Sequence, residues 1–213
     1  MSPASRSAVK VPILLLLILL PAQAQYYRHS VRITGGAGLP RDDLEQFFDI
    51  SPAFGFSYAY RFHRNFQAEA GLDTVFHAAG IRDYLETPYG PLRIKDYQFM
   101  VPLGGRVMVP FARDRFQFTA GGGAAWLRYQ EFVRQPYGGY YQIDCPPCRT
   151  RSGWGYYALV GFSVALDSGR HFRLGAHTKV YRAETEGDSF GALPSIVTSD
   201  AWIVPAAEFS FSF

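Results

Sequence analysis

The groups in this 213-residue chain with chemistry to offer are two thiols, five imidazoles and a series of charges set at alternate positions within oily stretches. Cys145-Pro146-Pro147-Cys148 has the spacing of a redox pair. A reactive thiolate needs a helix N-terminus or a cation to lower its pKa, and no helix signal flanks these cysteines. No histidine or further cysteine lies near them in sequence, so a metal site would lack ligands. The pair reads as a disulfide, Cys145 to Cys148, stapling a loop in an oxidising compartment. The histidines His29, His63, His77, His171 and His177 are scattered. His177 and Thr178 are adjacent, so on a strand they point to opposite faces and share no catalytic centre. No motif calls for a cofactor, and none is expected.

The charges are more regular. Arg32, Arg61, Glu69, Asp73, Arg106, Arg173, His177, Lys179 and Glu208 alternate with bulky apolar residues and share their parity with Gly, Ala and Ser. A charge facing a dry interior is costly unless paired and hydrogen-bonded, so bases, acids and one titratable imidazole on a common face imply an interior ion-pair network. If Phe62 and Phe66 flank a turn, Arg61 lies diagonal to Glu69 and should pair with it. Arg32 should pair with Glu208 once the first strand meets the last. Scaffolding is the expected role of this network, ahead of a proton or ion path.

Alternation is what positions these groups. From Ala201 to Phe213 every second residue is apolar, with Glu208, Ser210 and Ser212 among the residues between, which is the period of a strand. Ala53 to Phe62 sets Phe54, Phe56, Tyr58, Tyr60 and Phe62 against small or charged residues in the same way. Six further strands are predicted at about His29 to Gly38, Phe66 to Phe76, Tyr97 to Phe111, Phe116 to Trp126, Trp154 to Leu166 and Phe172 to Arg182. Their connections alternate between long (Leu39 to Ile50, His77 to Asp96, Val133 to Arg151, Ala183 to Asp200) and short (His63 to Asn65, Ala112 to Arg115, Asp167 to His171). Eight strands with long loops at one end and short turns at the other describe an antiparallel up-and-down barrel.

The N-terminus carries Arg6 and Lys10, an apolar run from Val11 to Leu20, and Ala22-Gln23-Ala24, the pattern of a cleavable signal peptide over residues 1–24 that leaves a barrel domain over 25–213. Setting aside Arg6 and Lys10, which are two of the 21 basic side chains, leaves a number almost matched by the 18 acids, which argues against a nucleic-acid partner. The oily face carries almost no charge over the roughly 9 to 11 residues that a tilted strand needs to cross hydrocarbon, so the expected barrel is transmembrane. Phe62, Phe66, Phe111, Phe116, Phe172 and Phe213 lie beside the short turns or the C-terminus and should form one aromatic girdle, with Phe76, Tyr97, Trp126 and Trp154 the second.

With its signal, its eight alternating strands and its final Glu208-Phe209-Ser210-Phe211-Ser212-Phe213, the chain resembles the small outer-membrane β-barrels of the OmpA and OmpX type, without their peptidoglycan-binding domain. The resemblance implies a bacterial outer-membrane location. It also implies that Phe209, Phe211 and Phe213 form the signal read by the barrel-assembly machinery. Partners are then outer-membrane lipid and, through loop residues such as Tyr84, Arg82, Tyr89, Arg93, Lys95, Tyr137, Tyr140 and Tyr141, lipopolysaccharide. A monomer is expected.

Eight strands enclose only enough space for side chains, so a general diffusion pore is not expected. Gly104, Gly121, Gly123, Gly153, Gly155 and Gly161 would leave room around large inward groups. Some barrels resembling this one modify lipid A, but a deacylase would show a lipid-facing His-x-Ser pair, which is missing here. A structural, envelope-integrity or surface-interaction role is the leading reading, ahead of a lipid A enzyme. A narrow conduit for small apolar molecules, opening where Pro102 or Pro205 interrupts a ladder, is the third.

Overall fold

The computed structural model describes residues 27–46, 48–76, 84–87, 90–134, 140–141, 150–187 and 197–213. The signal segment and both cysteines lie outside them. Eight long strands form the wall: β1 (His29–Asp42), β2 (Ser51–His63), β3 (Phe66–Phe76), β4 (Gly90–Phe111), β5 (Phe116–Arg134), β6 (Thr150–Ala165), β7 (Phe172–Gly187) and β8 (Val197–Ser212). Each pairs antiparallel with its chain neighbours, and β8 closes on β1 with Thr34 opposite Glu208. Two short strands, Tyr84–Thr87 and Tyr140–Tyr141, extend β4 and β5 at the long-loop end.

Period-two sequence sets the faces. Phe54, Phe56 and Phe62 are each more than half exposed, whereas Arg32, Arg106 and Lys179 on the inward parity are 5 %, 2 % and 1 % exposed. A soluble protein rarely shows contiguous apolar patches beyond a few hundred Å². Ile33, Leu72, Leu103, Val109, Phe118, Val160, Leu174, Val180 and Phe209 continue this oily surface around the wall, so its solvent is lipid.

Rings gather at the short-turn end, with Phe62 on Phe66, Phe111 on Phe116, Phe116 on Phe162, Phe172 on Phe211 and Phe211 on Phe213 at centroid distances of 6.4, 5.6, 5.8, 5.1 and 5.6 Å. At the other end Phe76 meets Tyr97, which meets Phe132, while Trp126 stands opposite Trp154.

Several strands run past the expected limits. β4 begins at Gly90 rather than Tyr97, β5 ends at Arg134 rather than Trp126, and β7 reaches Gly187 rather than Arg182. Beyond the lipid both faces of a strand meet water or polar groups, so one-sided alternation fades while backbone pairing continues, as at Asp96 opposite Glu131. The first long connection is structured as well. A 3-10 turn at Asp43–Gln46 directs Leu44 and Phe48 into the barrel mouth, where both are buried.

Prolines mark ladder interruptions. Register pairing of β1 with β8 runs to Gly36 opposite Ala206 and resumes at Leu39 opposite Ile203, passing over Pro205. Pairing of β3 with β4 skips from Ala70 opposite Leu103 to Asp73 opposite Met100, passing over Pro102. Proline has no N–H to donate to a ladder.

Candidate functional site

The interior is layered along the barrel axis. Inward positions of β1, β3, β4, β7 and β8 bring Arg32, Glu69, Arg106, His177 and Glu208 to one level. Glu208 lies 3.4 Å from Arg32 Nε, 3.2 Å from Arg106 Nη1 and 3.1 Å from His177 Nδ1. Glu69 pairs with Arg106 and, at 3.6 Å, with Arg32, and its Oε1 accepts a hydrogen bond from Tyr157 at 2.8 Å. One level further from the short turns, Asp73 accepts from Lys179 Nζ at 2.6 Å and from the Tyr181 hydroxyl. Each acid therefore meets several donors, the condition under which buried charge is tolerable.

The expected pair of Arg61 with Glu69 is replaced. Both Glu69 oxygens are taken by Arg106, Arg32 and Tyr157, and Arg61, two residues nearer the turn, directs Nη2 to the Met108 sulfur at 3.3 Å. Of the two diagonals open to Glu69, the one to Arg106 on β4 forms in place of the one to Arg61 on β2, and Arg32 and Tyr157 join it from strands that do not pair with β3. Arg173 also stands apart from the carboxylates, donating to Ser163 Oγ and to the carbonyls of Asp114 and Arg115. It braces a turn. Arg32 and Glu208 lie where strand closure was expected to bring them.

Small inward residues make the layers fit. A side chain at Gly161 would strike His177 first, while one at Gly104 or Gly121 would strike the backbone of the adjoining strand and then the Tyr157 hydroxyl or the Arg106 side chain. Gly123, Gly153 and Gly155 likewise face the backbone of adjoining strands, so close strand approach is a role they share with Gly104 and Gly121.

The half of the lumen nearer the long loops is oily, contrary to an interior of charges among Gly, Ala and Ser. Val75, Met100, Leu127, Leu159, Tyr181 and Trp202 point inward, and Phe48 packs on Tyr129 and Trp202 at 5.7 and 6.1 Å. Their parity was readable; the contribution of Leu44 and Phe48 from a connection was not. Above this plug, Asp200 accepts from Thr185 and Thr198 at 2.9 Å and lies 3.9 Å from Arg151, whose guanidinium sits 4.5 Å from the centre of the Tyr129 ring. Sequence reasoning missed this cluster because it ended the strands too early. Among the described residues no three His, Cys, Asp or Glu side chains converge to hold a metal.

Outside the lipid, Asp167 organises the last short turn. Its carboxylate accepts from the N–H groups of Phe172 (2.9 Å) and His171 (3.1 Å), and these backbone bonds, that of Phe172 foremost, hold its pKa below the usual aspartate value.

A closed wall of eight antiparallel strands, oily outside and charged or packed inside, defines a small transmembrane β-barrel. The chain belongs to the outer membrane protein β-barrel domain family, whose model matches residues 12–192. Similar solved structures include Neisserial surface protein A, at 13 % identity and a TM-score of 0.50 over 87 % of this chain and 97 % of that one. Outer membrane protein OprG from Pseudomonas aeruginosa is similar at 14 % identity and 0.51 over 88 % and 98 %. At such identity the likeness speaks for fold alone. No curated protein matches the chain in sequence.

Proposed function

We propose that the protein is a non-enzymatic structural and surface-interaction element of the outer membrane whose lumen is closed to general diffusion. The observation that carries this reading is the pair of ion-paired links across the full width of the barrel, Arg106 to Glu208 and Lys179 to Asp73, beneath the plug of Phe48 and Trp202. Open aqueous channels belong to barrels of about sixteen or more strands. Lipid surrounds the wall, the long loops meet lipopolysaccharide, and Phe209, Phe211 and Phe213, side by side on the exposed face of β8, serve the assembly machinery. The working form is a monomer, and Cys145 and Cys148 staple the third long loop as a disulfide.

The test is reconstitution into planar bilayers together with envelope assays on cells lacking the protein. Silent bilayers, with detergent sensitivity in the deletion strain, are expected. Steady ohmic conductance would overturn the closed lumen.

A second reading, a lateral conduit for small apolar molecules, is favoured by the ladder interruption at Pro205. A shallow hollow of about 570 Å³ lies on the lipid-facing wall beside it, lined by Pro205, Ala207, Ala176 and Thr178. Uptake of an apolar probe into liposomes, abolished by a covalent bridge between β1 and β8 there, would favour it over the first.

A further inference from the structure

At the short-turn mouth of the lumen a pocket of about 80 Å³ is lined by four guanidiniums, those of Arg61, Arg64, Arg170 and Arg173, and by the single carboxylate of Asp114. On the same measure one water needs roughly 10–15 Å³, so the pocket has room for a tetrahedral oxyanion with its hydration. We propose that this pocket binds a phosphate-bearing anion on the periplasmic side of the membrane.

Charge is the first argument. Asp114 is shared, with Oδ2 2.9 Å from Arg170 Nη1 and Oδ1 3.7 Å from Arg64 Nη2. Arg173 is held in place by Ser163 and by main-chain carbonyls; Asp114, Asp167 and Glu208 act on it only at a distance, without a direct ion pair. Arg64, Arg170 and Arg173 by themselves outnumber Asp114 three to one, repel one another and lower the free energy of any anion that enters. Phosphate suits the site better than carboxylate, because it brings about −1.5 to −2 charge and three acceptor oxygens to planar, forked donors that point from several directions.

Construction is the second. Ala112, Arg113 and Asp114 all have positive φ, at 49°, 57° and 63°, and Arg170 has φ 63°. L-residues other than Asn and Asp rarely adopt that region, so Ala112, Arg113 and Arg170 hold it against their own preference. Two turns of this kind face each other and present Asp114 and Arg170 to one cavity. Tyr27 completes the rim, its hydroxyl 2.8 Å from His171 Nε2. The pocket sits inside the lumen at the level of the ring of Phe62, Phe66, Phe111, Phe116 and Phe172, with Arg64, Asp114, Gly169 and Arg170 of the turns forming its outer side, hence at the edge of the hydrocarbon. A dissolved phosphate compound and the headgroup of a phospholipid in the periplasmic leaflet both offer the chemistry.

The experiment titrates inorganic phosphate into the folded barrel by calorimetry, first in a phosphate-free nonionic detergent. It is repeated in nanodiscs of phosphatidylglycerol and in nanodiscs of a phosphate-free glycolipid. Saturable binding in detergent is expected, weakened roughly tenfold or more by Arg64→Gln with Arg170→Gln. Arg113→Gln, on the far side of the same turn, should leave it unchanged. Asp114→Asn should tighten it severalfold, since Asn tolerates the left-handed backbone and removes the competing charge. Heat-dependent gel migration reports that each variant is folded. Phosphate binding suppressed only in phosphatidylglycerol discs identifies a lipid headgroup as the natural source; equal binding in both discs identifies a dissolved one. No saturable binding by the parent protein in detergent, or equal binding by parent and double variant, would overturn the proposal.

Discussion

Lys179 on β7 and Asp73 on β3 meet at 2.6 Å, although their strands stand half a ring apart in the eight-membered wall. Arg106 on β4 and Glu208 on β8 span the other diameter at 3.2 Å. Two such crossings at successive levels tie the register of strands that never touch through their backbones. Slipping one strand by a residue would turn these charges to lipid at a cost of roughly 2–4 kcal/mol for each Arg or Lys near the midplane.

Lys179→Met strands the Asp73 carboxylate in the lumen, and loss of about 3–5 kcal/mol is expected from breaking a buried pair on one side. The double variant Lys179→Met with Asp73→Leu should recover much of that loss. Urea unfolding in lipid vesicles measures both; strictly additive losses would show that the pair is not coupled.

Phe48→Ala removes the ring that packs on Tyr129 and Trp202. Truncating a buried Phe costs about 3–5 kcal/mol in a closed core. Since Phe48 lies outside the long strands, the gel mobility of the folded form should persist while the unfolding midpoint falls. An unchanged midpoint would mean that the plug adds nothing to stability.

Asp167→Asn tests the last short turn by pH. A carboxylate whose folded-state pKa is depressed stabilises fully above its unfolded value, and that contribution disappears as pH falls through the lowered one. The parent should therefore exceed the variant in stability at neutral pH, with the difference narrowing in acid. A gap that stays constant down through the carboxylate range would exclude the ionised bonds to Phe172 and His171 as its origin.

Phe213→Ala should lower the yield of folded barrel in the outer membrane while leaving spontaneous refolding into detergent nearly unchanged. Phe213 is half exposed and stacks only on neighbouring rings, so its loss is small for the finished fold. Equal deficits in cells and in detergent would point to plain destabilisation instead.

Sequence alone determined the number of long strands, the faces of their lipid-crossing parts and the closure of β1 on β8, because within the lipid a period of two assigns each residue to lipid or lumen from local information; where the strands end beyond the lipid it did not. The parity of Arg32, Glu69, Asp73, Lys179 and Glu208 was legible for that reason. Which acid takes which base was decided only by the closed barrel. Arg106 and Arg61 stand on equivalent diagonals to Glu69, one on each neighbouring strand, and only the folded lumen, with Arg32 brought in from β1, selects Arg106. Phe48 entering the mouth, and Arg64, Asp114 and Arg170 converging below it, are likewise products of tertiary structure: connections carry no periodicity, and curvature of the wall sets what their side chains meet.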